Sequence, residues 1–165
     1  MELKNPIKKI NLICAKGSIE DVYATLILGN GAVMEGIETN FFFTFFGLDA
    51  ILKKRMDKLH TSVVGNPALR LPGGMRMPTL LGVIPGMEAF TSWMMKSEME
   101  KIDVPPVSEF LDLITAGGGK IYACRLAVDM FKLTRDDFSE HVVDILTVGE
   151  FYELAAGEGS HIIFT

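Results

Sequence analysis

The hydrophobic period of residues 10–45 changes twice, and that change narrows what this chain can fold into more than any other feature. Ile10-Asn11-Leu12-Ile13-Cys14 is a short run of β-forming residues. Lys16-Gly17-Ser18 then turns the chain, and Ser18 with Asp21 has the hydroxyl-x-x-acid spacing that satisfies the free N–H groups at a helix start. Ile19, Val22, Tyr23, Leu26, Asn30 and Val33 recur at intervals of three and four, one face of a helix, and Gly36 supplies its stop. Residues 39–45 read TNFFFTF, a strand with almost no polar alternation, as expected where helices cover both faces of a sheet. Strand, capped helix and doubly covered strand make a βαβ unit, which joins parallel strands by a crossover.

The remaining chain continues the alternation. Residues 48–58 read as a short basic helix, and residues 65–78 (GNPALRLPGGMRMP) as a long loop with three prolines and three glycines. A loop of that length is more often functional or interfacial than idle. Met87, Phe90, Trp93 and Met94 mark a helix running into a charged stretch at 96–101, and Val107, Phe110, Leu111 and Ile114 mark another that ends at Gly117-Gly118-Gly119. Residues 120–124 (KIYAC) form a strand ending on Cys124, followed by a short helix. Thr134 to Asp137 repeats the capping spacing, residues 142–146 form a strand, and Thr147-Val148-Gly149-Glu150 opens a helix before a last strand at 161–164. The expectation is a single α/β domain over residues 1–165. It has three layers, α/β/α, around a mainly parallel sheet of about five strands with right-handed crossovers.

Composition limits the function. At 165 residues, 48% of them hydrophobic, the chain can bury a core without disulfide or metal staples, so its two cysteines are not needed as a scaffold. A net charge of −5 argues against general nucleic-acid binding, which needs a cationic face. The longest uncharged stretch, residues 22–34, falls short of the roughly 18 to 20 apolar residues of a membrane span, and the first residues lack the apolar run of a signal sequence. A cytoplasmic location is expected. The excess apolar content belongs either to strands covered on both faces or to a subunit interface.

Ligands of open parallel sheets bind at the carboxyl edge, where strands give way to helices. Cys124 falls there beside Arg125, a setting that favours the thiolate and makes Cys124 the candidate nucleophile. The alternative is a small buried hydrophobe. Cys14 reads as a buried structural thiol, or as a redox partner of Cys124 if their Cα atoms lie within about 7 Å. Lys16 and Ser18 could hold an anion with the first amides of the helix, or simply face solvent. The surrounding turn has neither the G-x-x-x-x-G-K-[ST] nor the G-x-G-x-x-G pattern of nucleotide sites. Arg70 and Arg76 could form a lid over an anionic group or lie in an exposed or interfacial loop. Lys53-Lys54-Arg55 reads as a solvated helix face. His60, His141 and His161 stand apart and no C-x-x-C or G-x-S-x-G occurs, so neither a metal, a cofactor nor a serine hydrolase is expected.

Three stretches, KKINLICAKGSIEDVYATLILGNGAVMEGIETNFFFTFFGL, GGKIYACRLAVDMFKL and VGEFYELAAGEGSHIIFT, together resemble the DsrE/DsrF-like family, specifically its larger DsrE-type members. The most specific parts are the K-G turn after the first strand, the F-F-T-F-x-G-L segment and the A-C-x-x-x-x-D pattern that places Cys124 and Asp129. The resemblance implies a cytoplasmic sulfur carrier or sulfurtransferase in which Cys124 holds sulfane sulfur as a persulfide and passes it to a partner thiol. Arg125, Asp129, Lys16, Gly17 and Ser18 would support it. It also implies a homo-oligomer and a TusA-like or rhodanese-type partner. Two other readings stay open: a non-catalytic oligomeric binding or scaffold module with a structural cysteine, and an oxidoreductase using Cys14 and Cys124.

Overall fold

The computed structural model describes residues 7–62 and 85–165. In chain order they form β1 (Lys9–Cys14), α1 (Ile19–Met34), β2 (Glu38–Phe43), α2 (Met87–Lys101) and α3 (Val107–Ala116). There follow β3 (Lys120–Cys124), α4 (Arg125–Met130), β4 (Val142–Leu146), α5 (Val148–Ala155) and β5 (Ser160–Phe164). The sheet runs β4-β3-β2-β1-β5 and every pairing is parallel. The expected α/β fold with five parallel strands is therefore present. The long loop expected at 65–78, with Arg70 and Arg76, lies outside the described residues.

Strand β2 sits at the centre and shows why its sequence does not alternate. Phe41 and Phe43 share one face, their rings stacked 6.5 Å apart, and Phe41 lies under Gly29 of α1. Phe42 points the other way and stacks at 4.4 Å on Phe151 of α5. All three are buried, and each contributes about 1.5–3 kcal/mol relative to exposure. A phenylalanine is needed at each position because both helical layers close on this strand.

The helix starts follow from local chemistry. Ser18 caps α1 by accepting from the Asp21 N–H, and Gly36, at φ +73°, turns the chain out of it toward β2. Thr147 and Glu150 form a reciprocal capping box on α5, and Thr134 with Asp137 repeats it on a 3-10 turn. Helices α1 and α3 pack through an edge-on contact between Tyr23 and Phe110 at 5.8 Å, and Tyr23 donates to the Pro105 carbonyl. Burial, with the Asp57 charge adding to it, pushes the Tyr23 phenol up to about 12.

Two local expectations differ from what forms. The strand expected at 39–45 ends at Phe43, because Phe45 takes a left-handed φ of +45°. The basic helix expected at 48–58 is replaced by 3-10 turns at Phe45–Ile51 and Met56–Lys58. The cause lies at Gly47, whose N–H donates to Thr44 and Ala15 carbonyls, and where a Cβ would stand 2.2 Å from the Cys14 carbonyl oxygen. That close approach ties the segment to the end of β1. Leu52 then bridges to Phe138 and pulls the chain extended before a regular helix can form.

One polar chain crosses the sheet interior. Asn40 donates to Asn11, and Asn11 donates to Ser160 and to the His161 carbonyl, linking β2, β1 and β5. The Asn40 side-chain oxygen is buried with no partner among the described residues.

Candidate functional site

The carboxyl edge of the sheet carries two separate groups of residues. Cys124 ends β3, directly opposite Leu146 of β4, and caps the first turn of α4 with extended backbone at φ −76° and ψ 120°. Its side chain is a free thiol with only 5% of the residue exposed. Arg125 follows and is exposed, and its guanidinium donates to the Ile145 carbonyl at 3.1 Å across the end of β4. The same charge helps hold Glu150 below the usual carboxylate range, after the larger effects of the Thr147 N–H and hydroxyl. Asp129 is exposed near the far end of α4, more than a helical turn beyond Cys124. Cys124 and Arg125 are thus brought together at the edge, and Asp129 stands apart from the strand end.

Cys14, Lys16, Gly17 and Ser18 make the second group, over β1. Cys14 is completely buried, and its thiol donates to the Lys16 carbonyl. Burial pushes this thiol up, outweighing the Thr25 and Thr165 hydroxyls that act in the other direction. Lys16 is paired with Asp21 at 3.3 Å, and the Ser18 hydroxyl donates to Asp21 at 2.6 Å. The Ile19 N–H is taken by the His60 carbonyl. In the opening turn of α1 the Ile19 and Asp21 N–H groups are thus taken by the His60 carbonyl and the Ser18 hydroxyl, and the Asp21 carboxylate holds the Lys16 and Ser18 side chains. An anion held by the Lys16 and Ser18 side chains, as expected from the sequence, would have to displace the Asp21 carboxylate from them.

The two cysteines are not neighbours. Strand β2 lies between β1 and β3, so their Cα atoms stand about 10 Å apart, two strand spacings. Register adds a second separation. Cys14 pairs with Phe43 and Phe43 with Ala123, so these three share a face and Cys124 turns to the other. A direct disulfide between them would need Cα atoms within about 7 Å.

The exposed aromatics at this edge escaped the sequence reading. Phe45 and Phe46 are 46% and 66% exposed, and Phe46 meets Phe131 at 5.8 Å beyond α4, where Leu126 is also exposed. In sequence they merge with the buried run of β2. The signal that separates them is the Gly47 that follows. Among the described residues no group of three His, Cys, Asp or Glu side chains is placed to hold a metal, and no helix is long and apolar enough to cross a membrane.

The fold and its edge can be set beside known proteins. The E. coli YchN protein superposes with a TM-score of 0.55 at 13% identity, covering 96% of this chain and 99% of that one. A protein of unknown function from Methanobacterium thermoautotrophicum gives 0.52 at 12%, covering 95% and 98%. At these identities the likeness concerns the fold. In sequence, the chain is 33% identical over 150 residues to the sulfur carrier protein DsrE2 of Allochromatium vinosum, covering 90% of this chain and 92% of that protein. It is 24% identical over 166 residues to the YrkE protein of Bacillus subtilis, covering 95% and 96%. The model of the DsrE/DsrF/DrsH-like family matches residues 6–162. With the five-stranded parallel sheet and a likeness running almost end to end, the chain belongs to the DsrE/DsrF/DrsH-like family.

Proposed function

We propose that this chain is a cysteine-dependent sulfur carrier or sulfurtransferase of a sulfur relay, with Cys124 as the carrying thiol. The observation that carries the reading is the 33% identity to a sulfur carrier over nine-tenths of the chain. The position of Cys124 at the carboxyl edge, ahead of a helix and beside Arg125, supports it. In the first step the Cys124 thiolate attacks the sulfane sulfur of a donor. With thiosulfate the S–S bond of the donor breaks, sulfite leaves with the bonding electron pair, and Cys124 becomes a persulfide. In the second step a partner thiolate attacks the outer sulfur of that persulfide, the new S–S bond breaks, and the Cys124 thiolate is restored. No net oxidant is needed. A TusA-like or rhodanese-type protein with its own cysteine has the chemistry to be donor or acceptor, and a homo-oligomer is part of this reading.

Intact mass after incubation with thiosulfate or polysulfide tests it. The wild-type chain and Cys14→Ser should each gain sulfur that dithiothreitol removes, and Cys124→Ala should gain none. Equal labelling of Cys124→Ala would overturn the assignment.

The 5% exposure of Cys124 favours a second reading, in which the thiol is structural and the chain a binding or scaffold module. Under it, iodoacetamide would label Cys124 no faster than global unfolding allows, and Cys124→Ser would keep function. Under the carrier reading labelling outpaces unfolding, through local opening of the strand end, where Arg125 and Leu126 are already in solvent although Ala127 and Val128 are buried.

A further inference from the structure

Beside the cysteine edge, over the end of β1, lies a polar cleft of about 580 Å³ that the sulfur chemistry does not use. It falls within the usual size of small-molecule sites and sits where parallel sheets bind ligands. Its floor is the Lys16-Gly17-Ser18 turn, pressed on the next loop so closely that a Cβ on Gly17 would stand 2.5 Å from the Phe46 carbonyl oxygen.

Its charges are sorted. Asp21 is held by Ser18 and Lys16, Asp49 by Arg55 at 2.8 Å, and Glu88 lies against His60 at 3.7 Å. Asp57, in the same turn as Lys58, points elsewhere: its carboxylate accepts from the Ser108 N–H. Lys54 and Lys58 remain, both exposed on the cleft wall, with no carboxylate within 4 Å among the described residues. Asp137 feels Lys54 at longer range, and Lys54 also borders the neighbouring pocket that Asp136 and Asp137 line. The cleft lining holds four lysine and arginine side chains against three carboxylates, a local positive excess in a chain of net charge −5 that an oxyanion would match, and Lys54 and Lys58 are the two of those cations without a carboxylate partner among the described residues. The Ser62 hydroxyl adds a donor, and the exposed Phe46 ring supplies an apolar wall.

The geometry points to this cleft as a binding site for a small dianionic oxyanion, held by Lys54 and Lys58. Free sulfur oxyanions and phosphorylated metabolites share that chemistry, and the cleft has room for either.

Amide NMR titration of the full chain separates them. Inorganic phosphate, thiosulfate and adenosine monophosphate are added at ionic strength held constant with sodium chloride, and shifts are read at Gly17, Ser18, Thr61 and Ser62. Saturable shifts at these amides are expected from at least one of the three, with the dissociation constant raised about fivefold or more in Lys54→Ala/Lys58→Ala. Tightest binding of thiosulfate assigns the site to sulfur oxyanions, and tightest binding of the nucleotide assigns it to phosphorylated ligands with a ring on Phe46. Absence of saturation up to about 20 mM overturns the site, as does a dissociation constant unchanged in the double variant. Both lysines are exposed, so an unchanged melting temperature will certify that the variant is folded. Cys124 does not line the cleft, so this result is independent of the mass experiment on the thiol.

Discussion

Gly29 of α1 lies so close to the Phe41 ring of β2 that a Cβ there would stand 2.0 Å from Cζ. Two residues on, Gly31 faces open space. Alanine should therefore act in opposite directions at the two positions. Gly29→Ala is expected to destabilise by about 1–3 kcal/mol, because the ring is stacked and cannot retreat. Gly31→Ala is expected to stabilise by about 0.5–1 kcal/mol through helix propensity alone. Urea unfolding midpoints at constant slope decide it, and a neutral Gly29→Ala would show that α1 is not seated on β2 in this way.

Mild oxidation with diamide should leave the chain without an internal disulfide, since β2 separates the two thiols and they face opposite ways. Mass spectrometry under non-reducing conditions checks this. Cys14, wholly buried and with its thiol pushed up by that burial, should alkylate only as the protein unfolds. Labelling of Cys14 in the native state at a denatured-state rate would contradict the placement.

Asn11→Ala removes the centre of the buried amide chain and leaves the Asn40 side chain with neither donor nor acceptor satisfied. A loss of about 1–3 kcal/mol is expected. Replacing Asn40 as well, in Asn11→Ala/Asn40→Val, should cost less than the sum of the two single changes, because the orphaned group is then gone. A double-mutant cycle from denaturant melts measures the difference.

The Glu150 carboxyl is held below its ordinary 4.5 chiefly by the Thr147 N–H and then by the Thr147 hydroxyl. A group depressed in the folded state stabilises above its unfolded pKa and loses that contribution as pH falls through the folded one. Between about pH 6 and pH 3 the melting temperature of Glu150→Gln should therefore fall less steeply than that of the wild type. Equal slopes would mean the capping box is not formed in solution.

Much of this architecture is written locally. Ser18, Gly36, Thr134 and Thr147 mark turns and caps through chemistry confined to a few residues, and each is found in that role. The Phe41-Phe42-Phe43 run gives away a strand covered twice. The segment after it does not yield to local reading, because the contact of Gly47 with the Cys14 carbonyl decides it across more than thirty residues of chain. The same holds for the two thiols. Each strand end is legible, but which strands lie side by side depends on the order of the whole sheet. Lys54 and Lys58 look like an ordinary wet face until the partners of their neighbours are known.

Strand β2 also acts as a wall between two compartments of chemistry. The chain has two cysteines, and β2 puts them in different rooms. If Cys124 is the carrying thiol, as proposed, its sulfur would have no resolving thiol beside it in the chain, and closing an internal disulfide would not shed it. On that proposal its departure would be a meeting of two molecules, with a rate that rises with the concentration of the recipient and a load that persists when none is at hand.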